Sequence, residues 1–445
     1  MNVMNLPLVK FRPPTLGLVL CGLALACWPV FRWWVARMTD GSDDPLGVAA
    51  LVVAGYFLWE RRSELTANPY GAWMAMGVIL TQGVLPLPPL VRAGCLVLAL
   101  SLALDLIRCH SGIVLLLLLS LPVVASLQFY FGYPLRLITA EISRWLLELL
   151  QVSTERSGTL LRWREHTVGV DAACSGVKLL WATGFLVGAL AARENLSWTR
   201  AGKLALVGLA LVIALNGVRS TLLFFPEAHL VEWPEWTHEA VGVGLFVMVA
   251  GTLVLLANRL TQRAKPRVAR VATPWEPLTT LVWICAMVVS AGLACFFSAT
   301  APAEAKRETI TWPTYFEGER LTPVPLSDAE ERFAAHFPGQ ISVFTSASGR
   351  TIIFRHINRA SREVHSSADC LQSAGYVMHP EPQFQDDQGR AWGQYTAEGN
   401  GPIRRVRETI TDRNGVSFTD PSAWFWPALL GQSNGPWTAI TAMER

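Results

Sequence analysis

Long apolar runs separated by short polar loops fill the first two thirds of the chain. A helix needs about 20 mostly apolar residues to cross a bilayer, and uninterrupted runs of roughly that length are typical of membrane-spanning helices. The pattern predicts about nine such helices, near residues 14–31, 45–59, 71–88, 90–107, 111–131, 174–192, 203–225, 238–257 and 278–298. The expected fold class is therefore a polytopic α-helical membrane protein.

The segment between the fifth and sixth runs has a different pattern. In residues 134–151, apolar positions are interleaved with Arg136, Glu141, Arg144 and Glu148. Charges spaced within an apolar repeat predict an amphipathic helix lying on the membrane surface. A tenth span is the alternative, and the charges argue against it.

The composition changes after residue 299. Residues 299–304 predict a linker, and the polar remainder contains alternating runs at 341–344 and 351–354 that indicate strands. We therefore expect a transmembrane domain over 1–299 and a second domain over 300–445, with an α+β or mainly β fold.

The distribution of basic residues predicts the orientation. Arginines and lysines concentrate in alternate loops, including residues 10–12, 61–62, 193–203 and 259–270. Cytoplasmic loops carry such an excess, so the chain should begin in the cytoplasm and the second domain should be extracytoplasmic. The net charge of +3 gives no reason to expect a nucleic-acid partner.

Residues 170–178 lie where a polar loop meets an apolar run. Asp171 could cap the helix and place Cys174 in its first turn, where the helix dipole favours a thiolate. Lys178 would then share a helix face with the sulfur. The alternative is a cysteine buried for packing beside a snorkelling lysine.

The other cysteines mostly lie within apolar runs and fit packing roles. Cys370 is the second cysteine in a polar setting, five residues after His365. This pair fits a second thiol site, a structural role or substrate guidance. The sequence has no CxxC pair and no metal-ligand spacing, so no metal and no cofactor are expected.

The predicted topology places three polar residues at one membrane face. Cys174 begins one helix on the outer side, Arg219 comes near the outer end of the next helix, and His238 begins the one after. Charged residues at membrane depth usually have a partner or a function. Arg219 could alternatively snorkel to lipid headgroups.

Three motifs resemble those of one known family. They are Ala173-Cys174-Ser175-Gly176 followed by an apolar and a basic residue, Asn216-Gly217-Val218-Arg219, and His238 with Gly242 close behind it. The pattern is similar to that of the exosortase/archaeosortase family, over roughly residues 15–260. The resemblance implies a membrane cysteine transpeptidase with Cys174, Arg219 and His238 as its catalytic residues.

The chemistry of these residue types agrees with that implication. A cysteine beside a base can attack a peptide carbonyl; His238 would exchange the proton and Arg219 would stabilise the oxyanion. Asn216 and Lys178 are expected in supporting roles. Asn216 could position Arg219 or make a structural hydrogen bond between helices, and Lys178 could depress the thiol pKa or contact substrate. His229 is a competing candidate for the base.

The resemblance also implies the partners and the location. Family substrates are exported proteins with a C-terminal recognition motif, a transmembrane helix and a basic tail, processed at the outer face of the bacterial inner membrane. Residues 364–376 resemble the Cys-x-x-x-Gly-aromatic signature of the exosortase-associated soluble domain. Two other functions remain open: an envelope polysaccharide transporter and an assembly scaffold without protease activity.

Overall fold

A computed structural model describes most of the chain, and the residues form two compact units. The described residues are 13–39, 45–62, 64–65, 69–85, 87–170, 172–234, 236–262, 277–297, 310–335, 337–399 and 402–444. The first unit comprises Met1–Val123, Lys178–Val212 and Phe246–Ala301, and the second comprises Val124–Val177, Ile213–Leu245 and Pro302–Arg445. The expected linker at 299–304 and the expected cap Asp171 lie outside the described residues.

Twelve helices precede the C-terminal strands in the described part of the chain. They are α1 Pro13–Ala26, α2 Trp28–Thr39, α3 Leu46–Glu60, α4 Pro69–Val84, α5 Pro89–Ala103, α6 Leu106–Cys109, α7 Ser111–Leu119, α8 Val124–Leu149, α9 Val177–Arg193, α10 Trp198–Glu227, α11 Trp236–Gln262 and α12 Pro277–Phe297. In the first unit, α1, α4, α5, α7 and α12 share one apolar core, which includes Val19, Ile79, Ile113 and Trp283.

The lengths of the helices support fewer spans than the sequence pattern predicted. Among the described residues, α10 and α11 are each long and apolar enough to cross a membrane, and two bent helix pairs raise the number to four if each pair is one span. Helices α3 and α5 have 15 residues each, about 22 Å at 1.5 Å per residue, against a hydrocarbon core of about 30 Å. The nine predicted spans are therefore not shown.

Two predicted spans are broken. The run at 14–31 divides at Cys27 into α1 and α2, which are bent by 77°. The run at 111–131 is divided between α7 and the start of α8. Pro122 lies in the break, and a proline disfavours the helical conformation in the residue before it. The amphipathic helix predicted at 134–151 is thus the later part of the 26-residue helix α8.

One charge of that predicted amphipathic helix is inside the protein. Arg144 and Glu148 are partly exposed, as a surface helix requires, but Arg136 is fully buried and paired with Asp420. The prediction is wrong at this position because the partner is 284 residues away along the chain.

A short sheet precedes Cys174 in the second unit. Strands β1 Glu155–Ser157, β2 Leu160–Trp163 and β3 His166–Gly169 form an antiparallel meander. Leu161 and Val168, paired across β2 and β3, pack with Leu147 of α8 and Phe224 of α10. The sequence analysis did not predict these strands.

The C-terminal region forms one antiparallel sheet of nine strands. They are β4 Tyr315–Phe316, β5 Glu319–Val324, β6 Gly339–Ser346, β7 Thr351–Ile357, β8 Val377–Gln385, β9 Ala391–Glu398, β10 Arg404–Thr411, β11 Ser417–Phe418 and β12 Trp437–Glu444. The order is β4-β5-β6-β7-β12-β10-β9-β8, with β11 on β10. The strands expected at 341–344 and 351–354 are confirmed, since they lie within β6 and β7.

Both faces of this sheet are covered by apolar side chains. Ile352 and Phe354 belong to one cluster and Ile357 to another, as alternation along a strand requires. Three helices complete the region: α13 Asp328–Ala334, α14 Ser367–Ser373 and α15 Pro421–Leu429. We call residues 310–444 the C-terminal domain; its sheet and helices agree with the expected α+β or mainly β fold.

Replacing Gly112 by alanine should destabilise the first unit. A Cβ added to Gly112 of α7 would collide with the backbone at Ala192 in α9, and overpacking of this kind costs about 1–3 kcal/mol. The matched control is Gly77→Ala in α4, where an added Cβ meets nothing within 4 Å and helix propensity improves. The thermal unfolding temperature of the detergent-solubilised protein should fall for Gly112→Ala only. Equal unfolding temperatures for the two variants would contradict the close packing of α7 on α9.

Candidate active site

Cys174 lies in a tight turn ahead of helix α9. The turn is a 3₁₀ helix over Ala172–Ser175, and Gly176 has a left-handed φ of +80° before α9 begins at Val177. The expectation that Cys174 occupies the first turn of the helix is therefore wrong. Because Gly176 interrupts the helix, the argument that Lys178 shares a helix face with Cys174 is also wrong, and the supporting role of Lys178 stays a prediction.

The glycine after the cysteine has a structural reason. Its positive φ suits a residue without a Cβ, and an added Cβ would lie 3.1 Å from the side-chain amide of Asn216. The Cys174 turn therefore packs closely on helix α10 at Asn216.

Asn216 holds the backbone of Cys174. Its buried Nδ2 donates to the Cys174 carbonyl oxygen and to Thr139 Oγ1, both at 2.9 Å. An amide group has two N–H donors, and both are used here. Asn216 thus joins the Cys174 turn to α8, and its bond to Thr139 is the hydrogen bond between helices that was one of its two expected roles.

Arg219 and His238 are in direct contact. Arg219 Nη2 lies 2.9 Å from His238 Nε2. A guanidinium can only donate, so Nε2 is the acceptor and the proton of the neutral ring is on Nδ1. A Cβ added to Gly242, one turn after His238 on α11, would lie 3.8 Å from Arg219 Nε; the guanidinium therefore lies along the face of α11 that carries both motif residues.

The second unit brings the predicted residues together in two linked pairs. Asn216 contacts the Cys174 turn, and Arg219 contacts His238. Asn216 and Arg219 are three residues apart on α10, a rise of about 4.5 Å. One turn of α10 therefore connects the cysteine turn to the arginine–histidine contact.

His229 has different neighbours. It follows α10 with a positive φ of 54°, and its ring centroid lies 6.1 Å from that of His166, which in turn stacks on Trp163. This competing candidate for the base contacts the β2–β3 hairpin, whereas His238 contacts Arg219.

Helix α8 contributes residues that the sequence analysis missed. Gln128 Oε1 accepts a hydrogen bond from Ser175 Oγ at 2.9 Å, and Ser143 Oγ lies 2.9 Å from Thr221 Oγ1 of α10. An added Cβ at Gly217 would collide with Ile142. The sequence carried two signals of this contact. They were the polar residues Gln128 and Ser143 within an apolar helix, and a glycine inside the Asn216–Arg219 motif.

Cys370 and His365 form a pair in the C-terminal domain. His365 Nε2 lies 2.9 Å from Cys370 Sγ, and Nδ1 lies 3.1 Å from the Glu363 carbonyl oxygen, so Nδ1 donates and Nε2 accepts. Cys370 is an exposed residue, yet desolvation by the protein around its sulfur raises the thiol pKa to about 11. At neutral pH this sulfur is a thiol and a weak nucleophile.

Within the described ranges, no group of three or more His, Cys, Asp or Glu residues could hold a metal ion.

Comparison with known proteins identifies the class. Apolar helices long enough to cross a membrane, with a cysteine turn against one helix and an arginine–histidine contact beside it, fit a membrane protein with a polar site. A family model described as transmembrane exosortase matches residues 33–255, half of the chain. This chain belongs to the exosortase family, and the resemblance seen in the sequence is confirmed.

The matched range contains all three motifs and helix α8, and it ends before the C-terminal domain. The likeness of residues 364–376 to the exosortase-associated domain therefore stays a prediction. No curated protein and no solved structure matches the chain.

Alkylation of Cys370 should show its raised pKa. Because the thiolate is the reactive form, the rate with iodoacetamide should rise about tenfold per pH unit from pH 8 to 10. In the denatured chain, where a cysteine has a pKa of about 8.5, the rate should level off above pH 9. The measurement is mass spectrometry of the Cys370 peptide; levelling off near pH 9 in the folded protein would contradict the assignment.

Proposed function

We propose that this protein is a membrane cysteine protease and transpeptidase that cleaves the C-terminal sorting signals of exported proteins and transfers them to an envelope acceptor. Membership of the exosortase family supports the reaction class. The catalytic residues are assigned from the contact of Arg219 with His238. This contact lies one helical turn from Asn216, which holds the Cys174 carbonyl.

Cys174 is the nucleophile in this proposal. Its sulfur attacks the scissile carbonyl carbon, and the carbonyl oxygen becomes an oxyanion. Collapse of the tetrahedral intermediate breaks the C–N bond, releases the amine of the C-terminal fragment and leaves a thioester on Cys174. Asn216 fixes the backbone carbonyl of Cys174 and thereby the position of the turn that carries the sulfur.

His238 is the base, and Arg219 controls when it is available. His238 Nε2 accepts from Arg219, so the nitrogen that would take the thiol proton is occupied. A substrate carbonyl offers the guanidinium a second acceptor. When Arg219 turns toward it, Nε2 is released to receive the thiol proton and later to protonate the leaving amine.

Arg219 then stabilises the oxyanion. Once the guanidinium has turned to the substrate, a cation in a site from which the substrate excludes water lowers the energy of a developing negative charge more than it does in bulk water. An acceptor amine resolves the thioester in the second half of the reaction, giving transfer; water in its place gives hydrolysis.

The partners and the location follow from the same proposal. The substrate would present its recognition motif to Cys174 while its transmembrane helix packs among the spans and its basic tail stays in the cytoplasm. The alternation of basic loops favours an extracytoplasmic active site and C-terminal domain in the bacterial inner membrane.

Cys174→Ala should abolish cleavage of a co-expressed tagged substrate. Loss of the nucleophile should lower the rate on the order of 10³-fold or more, with unchanged protein level and membrane insertion. The matched control is Cys370→Ala, which removes the less reactive thiol and should leave cleavage unaffected. Immunoblotting of the substrate gives the measurement; full cleavage by Cys174→Ala would instead favour a transporter or a scaffold.

His238→Ala should slow cleavage by about 10²–10⁴-fold, the usual contribution of a general acid–base group. His229→Ala should change the rate by less than about threefold, because its ring contacts His166 outside the proposed chemistry. The same cleavage assay compares the two variants at equal protein level. If His229→Ala proves the more damaging, the base has been assigned to the wrong histidine.

A further inference from the structure

Helix α8 belongs to the core of the C-terminal domain at its amino-terminal end. Phe129 is 5% exposed and shares one apolar cluster with Ile357, Trp424 and Trp437. Its ring lies 4.9 Å from that of Phe425 in α15. The C-terminal domain therefore buries part of α8 as it buries its own strands.

A proline in α8 provides a specific docking point. Pro134 lacks the N–H that would otherwise bond to the carbonyl of Tyr130, four residues earlier. That carbonyl accepts a hydrogen bond from Trp426 Nε1 at 2.6 Å. A buried carbonyl needs a partner, and α15 supplies the one that the helix cannot.

A buried ion pair fixes α8 to the start of α15. Arg136 Nη2 donates to Asp420 Oδ2 at 2.7 Å, with side-chain exposures of 0% and 9%. Asp420 Oδ1 accepts from the backbone N–H of Ala423 and so caps α15. One carboxylate thus orders both helices, and loss of its charge would remove this ion pair from a buried cation.

The docking contact lies next to the candidate active site. Ser422 Oγ accepts from the Tyr133 backbone N–H at 2.9 Å, and a Cβ added to Gly132 would lie 2.7 Å from Gln128 Nε2 and 3.4 Å from Ser422 Oγ. Gln128 Oε1 accepts from Ser175, the residue after Cys174. Further along α8, Thr139 accepts from Asn216.

We propose that the C-terminal domain is a positioning element for Cys174. Asp420, Ser422 and Trp426 set where α8 lies; α8 in turn holds the Cys174 turn through Gln128 and holds Asn216 through Thr139. The effect on turnover rests on the proposed function, whereas the effect on the Cys174 environment does not.

The decisive measurement is therefore the reactivity of Cys174 in the full-length protein. Asp420→Asn removes the charge that pairs with Arg136, and Trp426→Phe removes one N–H while keeping an aromatic ring. Each should lower the rate of iodoacetamide modification of Cys174 at least about threefold and shift its pH profile. Each should also lower cleavage of the tagged substrate about 10–100-fold, the usual cost of a small misplacement.

Two controls separate positioning from general damage. Cys370 is an internal reference in the same domain, and its modification rate should not change. Arg350→Gln breaks ion pairs with Glu317 and Glu319, which lie within the C-terminal domain, and it should leave Cys174 unaffected. If Asp420→Asn does not accumulate, Trp426→Phe decides.

A double-mutant cycle tests the route. Gln128→Ala removes the contact to Ser175 directly, so combining it with Trp426→Phe should give less than the sum of the two effects on Cys174 modification. Full additivity would overturn the proposal. An unchanged rate of Cys174 modification in both Asp420→Asn and Trp426→Phe would overturn it as well. If the rate of Cys174 modification changes as expected but neither the parent protein nor any variant cleaves the substrate, the positioning inference stands and the proposed function fails.

Discussion

The candidate site depends on one buried amide group. Asn216 places one N–H on the Cys174 carbonyl and the other on Thr139, so α8, α10 and the cysteine turn meet at a single side chain. A substitution that removes the amide would leave both acceptors buried without this donor, at a cost of about 1–3 kcal/mol each. Because Arg219 follows one turn later, the same helix then determines where the arginine–histidine contact lies relative to Cys174.

The sequence allowed the prediction of features that depend on local pattern. The strands at 341–344 and 351–354 follow from alternation, and the grouping of Arg219 with His238 follows from motif residues that flank one loop. The site residues on α8 could not be predicted, because Gln128 and Thr139 acquire their roles from Ser175 and Asn216 at long sequence separation.

The predicted number of spans is not shown by the helix lengths, and the reason is physical. Apolar composition predicts burial in an apolar environment, but it does not fix the length of the helix or the position of a break. Apolar runs became the 30-residue α10, the 15-residue α3 and the broken pair α1 and α2. Only the structure distinguishes these outcomes.

The composition change after residue 299 predicted a second domain, and the later residues form a nine-stranded sheet in the part of the chain that the structure describes. It did not indicate that α8 would contribute to the core of that sheet. Arg136 looked like a surface charge of an amphipathic helix, yet its partner is Asp420, the cap of α15. The Tyr130 carbonyl, which Pro134 deprives of its intrahelical donor, accepts from Trp426 of α15. A charge or a proline inside an apolar helix can thus mark an intramolecular docking surface as well as a membrane surface.

The two cysteines outside the apolar runs show why distance to a histidine does not define a nucleophile. Cys370 has its histidine at 2.9 Å, correctly oriented by a backbone carbonyl, and its pKa is nevertheless raised to about 11. Around Cys174, the histidine is held instead by an arginine that is always charged. If that guanidinium must leave the histidine to meet the substrate carbonyl, then the arrival of substrate and the release of the base are one event.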